Sequence, residues 1–597
     1  MSFLGEIKRR KVFQVGAVYV VVAWLIMQIV DVVNEPLNLP DWFDTVAILL
    51  LGIGFPIALI LSWAFELTPD GLTRDDGGAS PSRGGRRLEY VLVGLLVVAV
   101  GWIGYRELGS SVGEPGGSAG ETSVAVLPFT NLSADPGQEF FSDGMTEEIT
   151  SALAKVRGLG VVGRTSAFQF KNQARDLREI GSVLGASHLV EGSIRKSGVR
   201  LRITAQLIRV DSGVEIWTNT YDREMTDVFA IQEEIARQIA GSLRAPLGLQ
   251  EGDQLVANRA IDAEDYQEYY LRAKNLFHAR GGERIAEAAK LLEDLVDRNP
   301  DYAPAWGLLA QAYDFIPNYD PAWFSGDFER LRPVVSEMGP KAEIAARRAI
   351  ELDPNLAAGY YSLALALEQR GELIEAEDLF QRAYELDPND PDVLHLYSRM
   401  LAKVGRLEDA HSMRERLTYL DPLVQVYRAI AAFVLWLLDR DDEAIAMAEN
   451  LEPLHRSYVL SRMLAADGRY AYAADVVESD SRELNIPETT EAVARLLRAA
   501  PTDLRSPESL PHLGLFAFVY LHVGAPERAL EPHEDGVEIG YSASAFNALL
   551  WHSSYADLRK TERFKKFLLD AGVVEYWRER GWPSHCQPLG GADFECR

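Results

Sequence analysis

Apolar residues fall along this chain in three rhythms, and each predicts a different kind of element. The first rhythm is unbroken. Residues 12–33, VFQVGAVYVVVAWLIMQIVDVV, carry only Asp31 as a charge and are long enough to cross a hydrocarbon core of about 30 Å. Residues 45–65 form a second run, in which Pro56 is tolerated in lipid. Residues 90–105 form a shorter third, with Tyr90, Trp102 and Tyr105 placed as interface anchors. No signal-peptidase pattern follows the first run, so it reads as an uncleaved anchor. Lys8, Arg9, Arg10 and Lys11 precede it, and Arg74, Arg83, Arg86 and Arg87 separate the second run from the third; residues 34–44 hold no Lys or Arg. Basic segments stay cytoplasmic. The pattern predicts a membrane anchor over residues 1–106 with three transmembrane helices (12–33, 45–65, 90–105), placed in the lipid bilayer of a bacterial inner membrane. The N-terminus is then cytoplasmic and everything after about residue 106 periplasmic. Residues 107–121, ELGSSVGEPGGSAGE, read as a flexible linker.

Over residues 122–248 the rhythm alternates between period two and period 3.6, as in a small α/β domain. SVAVLPF at 123–129 suits a buried strand. Phe140, Phe141, Met145, Ile149 and Leu153 mark an amphipathic helix over 138–156. Leu159 to Val162 is a second short strand, and 176–184 a helix capped by Asp176. His188 to Ile194 and Arg200 to Val210 form a hairpin through Lys196-Ser197-Gly198. Leu201, Ile203, Ala205 and Leu207 lie on the inward side of its second strand. A turn at Asp211-Ser212-Gly213 leads to a strand over 215–221, and a helix over 228–243 closes the unit. The stretch from SVAVLPFTNLSADPGQEFFSDGMTEEIT to RLRITAQLIRVDSGVEIWTNTYDRE resembles the TolB-like amino-terminal (FlgO-like) domain. That resemblance implies an envelope-located, non-catalytic α/β module. In some relatives a class III cyclase domain precedes it; with about eleven residues before the first apolar run, none is expected here.

The third rhythm is long. Leu352-Asp353-Pro354, Leu386-Asp387-Pro388 and Leu420-Asp421-Pro422 recur every 34 residues, as do Gly371 with Gly405 and Ala376 with Ala410. That period is that of the tetratricopeptide (TPR) repeat, in which a small Ala lets two helices approach and a Pro starts the next unit. The clearest unit, 357–390, has Tyr360, Leu363, Ala364, Leu367, Ala376, Phe380, Ala383 and Pro388 in the repeat's places. An earlier unit opens with Trp306 and Tyr313, then carries an insertion from Phe315 to about Pro340. The repeats are placed over 263–483, and residues 484–597 form a helical C-terminal cap with a Cys-containing tail. The predicted fold class is therefore multidomain: three transmembrane helices, a small α/β domain, then an all-α TPR solenoid.

Charge narrows the function. Acidic residues outnumber basic ones 88 to 60, a net charge of −28, and no basic cluster stands in the soluble part, so nucleic acid is excluded as a partner. The two cysteines, Cys586 and Cys596, suit a small disulfide loop in an oxidising compartment. No GxxxxGK[ST], HExxH or GxSxG motif occurs. Asp143, Glu147 and Glu148 read as acids complementing a helix start, and His585 beside Cys586 as an incidental pair. No catalytic, cofactor-binding or metal-binding residue is assigned, no cofactor is expected, and the chain reads as no enzyme. Tyr319, Trp323 and Phe324 in the insertion are aromatic residues that the repeat does not require, and are candidate contacts to a partner. The expected function is a membrane-anchored scaffold binding a protein or peptide partner through the array. The alternative is a transmembrane signalling component acting through a cytoplasmic partner.

Overall fold

The computed structural model describes Ala23, residues 66–68 and 71–73, and residues 122–597 apart from 155, 157–158, 199, 225–233, 236, 240, 243–263, 485, 503–506, 543–546 and 591–592. The chain divides into two compact units, Met1–Val112 and Gly113–Arg597. In the first, β1 (Glu66–Thr68) and β2 (Gly71–Thr73) pair as a short antiparallel hairpin.

Among the described residues no helix is long and apolar enough to cross a membrane. The longest, Phe328–Leu352, has 25 residues but carries Glu329, Arg330, Arg332, Glu337, Lys341, Glu343, Arg347, Arg348 and Glu351, which no hydrocarbon core accommodates. The predicted spans 12–33, 45–65 and 90–105 lie outside the described residues, Ala23 excepted. The fold class is corrected accordingly. In place of three transmembrane helices followed by two domains, the described chain is mostly helical, a TPR-like solenoid with a small sheet region. The inner-membrane topology and the lipid bilayer as a partner lose their support with it.

In the second unit the sheet runs β5 (Gly160–Val161), β3 (Ser123–Val126), β6 (His188–Ser197), β7 (Arg200–Arg209), β8 (Val214–Glu224), and β4 (Thr130–Asn131) also pairs with β6. β3 is parallel to β5 and β6, and the long strands β6, β7 and β8 are antiparallel. Both faces of β3 are covered. Val124 and Val126 face α1 (Glu139–Ala154) in one core; Ala125 and Leu127 face α2 (Arg164–Phe168) and α3 (Leu177–Leu184) in another. That is why this strand reads as a continuous apolar run, while Leu201, Ile203, Ala205 and Leu207 of β7 alternate with more exposed residues.

The array follows as helix pairs. They are α4 (Glu264–His278) with α5 (Gly282–Arg298), and α6 (Ala303–Phe315), short α7 (Pro321–Ser325) and α8 (Phe328–Leu352). Next come α9 (Ala357–Gln369) with α10 (Leu373–Leu386), and α11 (Pro391–Lys403) with α12 (Leu407–Leu420). The last are α13 (Gln425–Leu437) with α14 (Asp441–Glu449), and α15 (Pro453–Ala466) with α16 (Tyr470–Asp480). Ala364, Ala376, Phe380 and Ala410 are fully buried, and Phe380 stacks on Tyr397 at 5.6 Å. A larger side chain at Ala376 forces two helices apart, a cost of about 1–3 kcal/mol. Each turn inside a pair needs a left-handed residue, supplied by Gly371 (φ 86°), Gly405 (φ 82°) and, one period on, Asp439 (φ 58°). Pro354, Pro388 and Pro422 occupy the turns between pairs. Trp306 Nε1 donates to the Pro300 carbonyl (2.9 Å) and Tyr360 Oη to that of Pro354 (3.0 Å), so each ring staples its helix to the preceding turn. Most of the insertion is helical: it forms α7 and lengthens α8, through Pro333 and Pro340.

Beyond α17 (Pro487–Ala499) the chain turns irregular, in 3₁₀ turns and the short helices α18 (Glu531–Glu538), α19 (Ala556–Arg559), α20 (Glu562–Asp570) and α21 (Val573–Arg580). It ends in a hairpin, β9 (Cys586–Gly590) with β10 (Asp593–Cys596), in which Cys586 and Cys596 face each other and are disulfide-bonded.

Candidate functional site

The first helix of each pair has one side left over after packing on its own partner and its neighbours. In an open solenoid that side is free for a ligand. Here the chain's own C-terminal segment lies on it. Lys403 at the end of α11 is buried, with Nζ 3.2 Å from Glu368 Oε1 and 3.4 Å from the Ser542 carbonyl. Trp551 Nε1 donates to the Lys403 carbonyl (2.9 Å), and Trp577 Nε1 to that of Val404 (2.8 Å). At the end of α13, Trp436 stacks on His552 with ring centres 3.5 Å apart. Burial, reinforced by Arg559, holds that imidazole down at about 3, so it stacks as a neutral ring. In α15, Arg462 Nη2 donates to the Leu515 carbonyl (2.8 Å) and its guanidinium lies 5.0 Å from the Phe518 ring centre. Tyr576 Oη donates to Glu377 Oε2 (3.1 Å), and Arg406 closes the same group by pairing with Glu377.

The α/β region meets the array at other places. Gly163 precedes α2 and has no side chain to cap it. Asp421, from the third Leu-Asp-Pro triplet, supplies the cap: its Oδ1 accepts from Ser166 N (2.8 Å). Ser166 Oγ in turn accepts from Leu423 N (2.8 Å). A Cβ on Gly163 would stand 2.4 Å from Asp421 Cγ, so only glycine allows this approach. Burial pushes the Asp421 carboxyl up to about 6 although its bonds to Ser166 oppose this.

Nearby, Glu147 of α1 is paired with Arg164 (3.0 Å), Lys274 (3.0 Å) and His278 (2.8 Å), the last two from α4. Glu148 takes a second contact to Lys274 (2.8 Å), and Asp143 holds Lys171 (2.5 Å) and Asn275 (3.0 Å). Burial pushes the Glu147 carboxyl up, but His278, Lys274 and Arg164 together hold it well below the usual range. The reading of these three acids as complements of a helix start is thus replaced by a different role: they are buried and join α1 to α4. Sequence spacing holds no signal for this, because their partners on α4 lie more than a hundred residues away.

The aromatic insertion is half-buried. Trp323 makes edge contacts with Phe328 (5.9 Å) and Tyr541 (5.4 Å), Phe324 packs on the C-terminal core and Tyr319 on the array core. Tyr541 Oη donates to Asn318 (2.7 Å). The structure thus brings this insertion against residues 514–541 of the same chain. Among the described residues no group of three His, Cys, Asp or Glu is placed to hold a metal ion.

Comparison with known proteins adds three findings. A curated relative from Rhizobium meliloti (strain 1021), named Putative adenylate cyclase 3, is 34% identical over 257 residues, 43% of this chain and 42% of the relative. The chain therefore spans less than half of that relative's length. A relative carrying an enzyme's name overturns the expectation that the chain is no enzyme; a search for short motifs cannot detect active sites built from scattered residues. Yeast Tom70 (13% identity, 74% of this chain, 82% of that chain, TM-score 0.30) and a human IFIT1 dimer with PPP-AAAA (13%, 69%, 97%, 0.30) are similar at scores too low to argue from. Residues 357–400 match the family model described as Tetratricopeptide repeat, so the helix pairs whose 34-residue period is visible in the sequence include a true repeat of that family.

Proposed function

We propose that this chain is a scaffold for protein–protein interaction, and that the side of its first helices carrying Glu368, Lys403, Trp436 and Arg462 is its ligand-binding side, held by its own C-terminal segment until a partner arrives. The carrying observation is the tetratricopeptide array, since such repeats present extended surfaces for protein partners. The α/β region serves beside it as a TolB-like (FlgO-like) module, a reading supported by the order of strands and helices over 122–224. Cross-linking mass spectrometry on the intact protein in its native extract tests the scaffold. A partner cross-linked to residues 264–480 supports it; partners linked only outside that range refute it.

A second reading rests on the relative named Putative adenylate cyclase 3. In it the chain takes part in adenylate cyclase chemistry, as catalyst or as the portion shared with one. Purified protein given ATP with magnesium or manganese either forms cyclic AMP, which favours this reading, or leaves ATP unchanged, which removes the catalytic form of it.

A further inference from the structure

Between the array and the C-terminal segment lies a cavity of about 180 Å³, room for several waters or a short alkyl chain. Tyr313 and Asp314 of α6, Val335 of α8 and Arg370 beyond α9 form its array side; Ile539 and Tyr541 form the other. Asp314 is 3% exposed, and neither of its carboxylate oxygens has a hydrogen-bond partner among the described residues. Buried polar groups are almost always partnered, so a carboxylate with two empty oxygens on a cavity wall asks for a donor that comes from outside.

Ser336 and Gln369 also line the cavity, but neither is bonded to Asp314. Arg370 is taken up by Glu343 (2.6 Å) and Glu372 (2.9 Å). The Tyr313 hydroxyl donates to Glu293 (2.6 Å) and that of Tyr541 to Asn318 (2.7 Å). The wall thus holds one unpaired anionic group among mainly aromatic and aliphatic surfaces, with the neutral polar Ser336 and Gln369 beside them. Its chemical complement is a cation with an apolar stem, the combination that aromatic walls and a single carboxylate select.

We propose that this cavity binds a primary alkylammonium group, either a free small amine or the lysine side chain of a peptide, with Asp314 as its counter-ion and Tyr313, Val335, Ile539 and Tyr541 around its stem. The site joins two parts of the chain far apart in sequence, so its occupant also fastens the C-terminal segment to the array. Burial alone raises the Asp314 carboxyl above the usual range, and an alkylammonium beside it opposes that rise.

Calorimetric titration of the full chain at neutral pH, with n-butylamine and with Nα-acetyl-lysine methylamide, tests the proposal. Saturable binding is expected. Binding of the lysine derivative alone identifies a peptide as the source, and binding of butylamine alone a free amine. Asp314→Asn is expected to weaken binding about tenfold to a hundredfold. Ile539→Trp, which keeps Asp314 and fills the space, is expected to abolish it, and serves if the first variant does not fold. No saturation of either ligand by about 10 mM, weaker than the millimolar range, overturns the proposal. So does undiminished binding by either variant, or equal binding of neutral n-butanol.

Discussion

Asp421 offers a prediction that runs from one carboxylate to the junction of two regions. Its carboxyl is raised from an ordinary 3.8 to about 6. At about 1.4 kcal/mol per pH unit, holding the charge in place at neutral pH costs the folded state about 3 kcal/mol. Below about pH 4 both folded and unfolded forms are protonated and the group contributes nothing. Between about pH 4 and 6 the unfolded chain ionises first, so stability falls as pH rises, and it levels off above 6. Asp421→Asn keeps an oxygen to accept from Ser166 N without the charge. It is expected to stabilise the junction at pH 7 by up to about 3 kcal/mol, with a gain that vanishes towards pH 4. Asp421→Ala removes the cap as well, and is expected to lie about 1 kcal/mol below the Asn variant at every pH. Hydrogen exchange of the peptide over 163–170, corrected for the intrinsic pH dependence, measures the local opening energy. A wild type–Asn difference that stays constant from pH 4 to 7, or an Asn variant less protected than wild type at pH 7, refutes the reasoning.

Three further predictions follow from the same contacts. Lys403→Met leaves Glu368 buried without its cation and is expected to cost about 3–5 kcal/mol in denaturant unfolding, most of it recovered when Glu368→Leu is added; a single variant as stable as wild type contradicts this. Glu147→Gln removes a carboxylate held below its ordinary value, so it weakens the α1–α4 junction at neutral pH. It also removes part of the acid sensitivity that appears as pH falls below about 4.5, read as exchange over 139–154 at both pH values. Reducing the Cys586–Cys596 bond opens a loop with a sequence separation of 10, and is expected to cost about 2–3 kcal/mol at the tail while leaving exchange in the array unchanged.

How much of this was legible beforehand depends on how far each signal reaches along the chain. Val124 to Leu127 announce a strand because both its faces are covered, and the hairpin of β6 and β7 shows in the alternation from Leu201 to Leu207. The array is legible because its repeat writes the same packing demand every 34 residues, at Ala376 and again at Ala410. The insertion's helical character was hidden, since Pro333 and Pro340 are residues that usually break helices; here α8 runs through both, with Leu331, Val335 and Ala342 buried around them. Within the cap expected to be helical over 484–597, Gly514–His522 is a 3₁₀ segment, whose residues are almost all buried and so carry no one-sided pattern. The candidate site was the least legible. Asp353, Asp387 and Asp421 are equivalent by spacing, and only the fold brings Gly163 beside the third. The three apolar runs of the first 106 residues matched a membrane pattern, but no described helix carries one.

The C-terminal segment has a mechanical consequence. A bare array of helix pairs behaves like a zipper, each pair answering only to its neighbours, able to open from one end. Here ties span 139 residues from Lys403 to Ser542, 199 from Glu377 to Tyr576 and 223 from Asn318 to Tyr541. Such ties lace distant teeth of the zipper together. Fraying at one end must then break the lacing before it can spread, so the repeats give way collectively, and the strap that covers them sets the load at which they do.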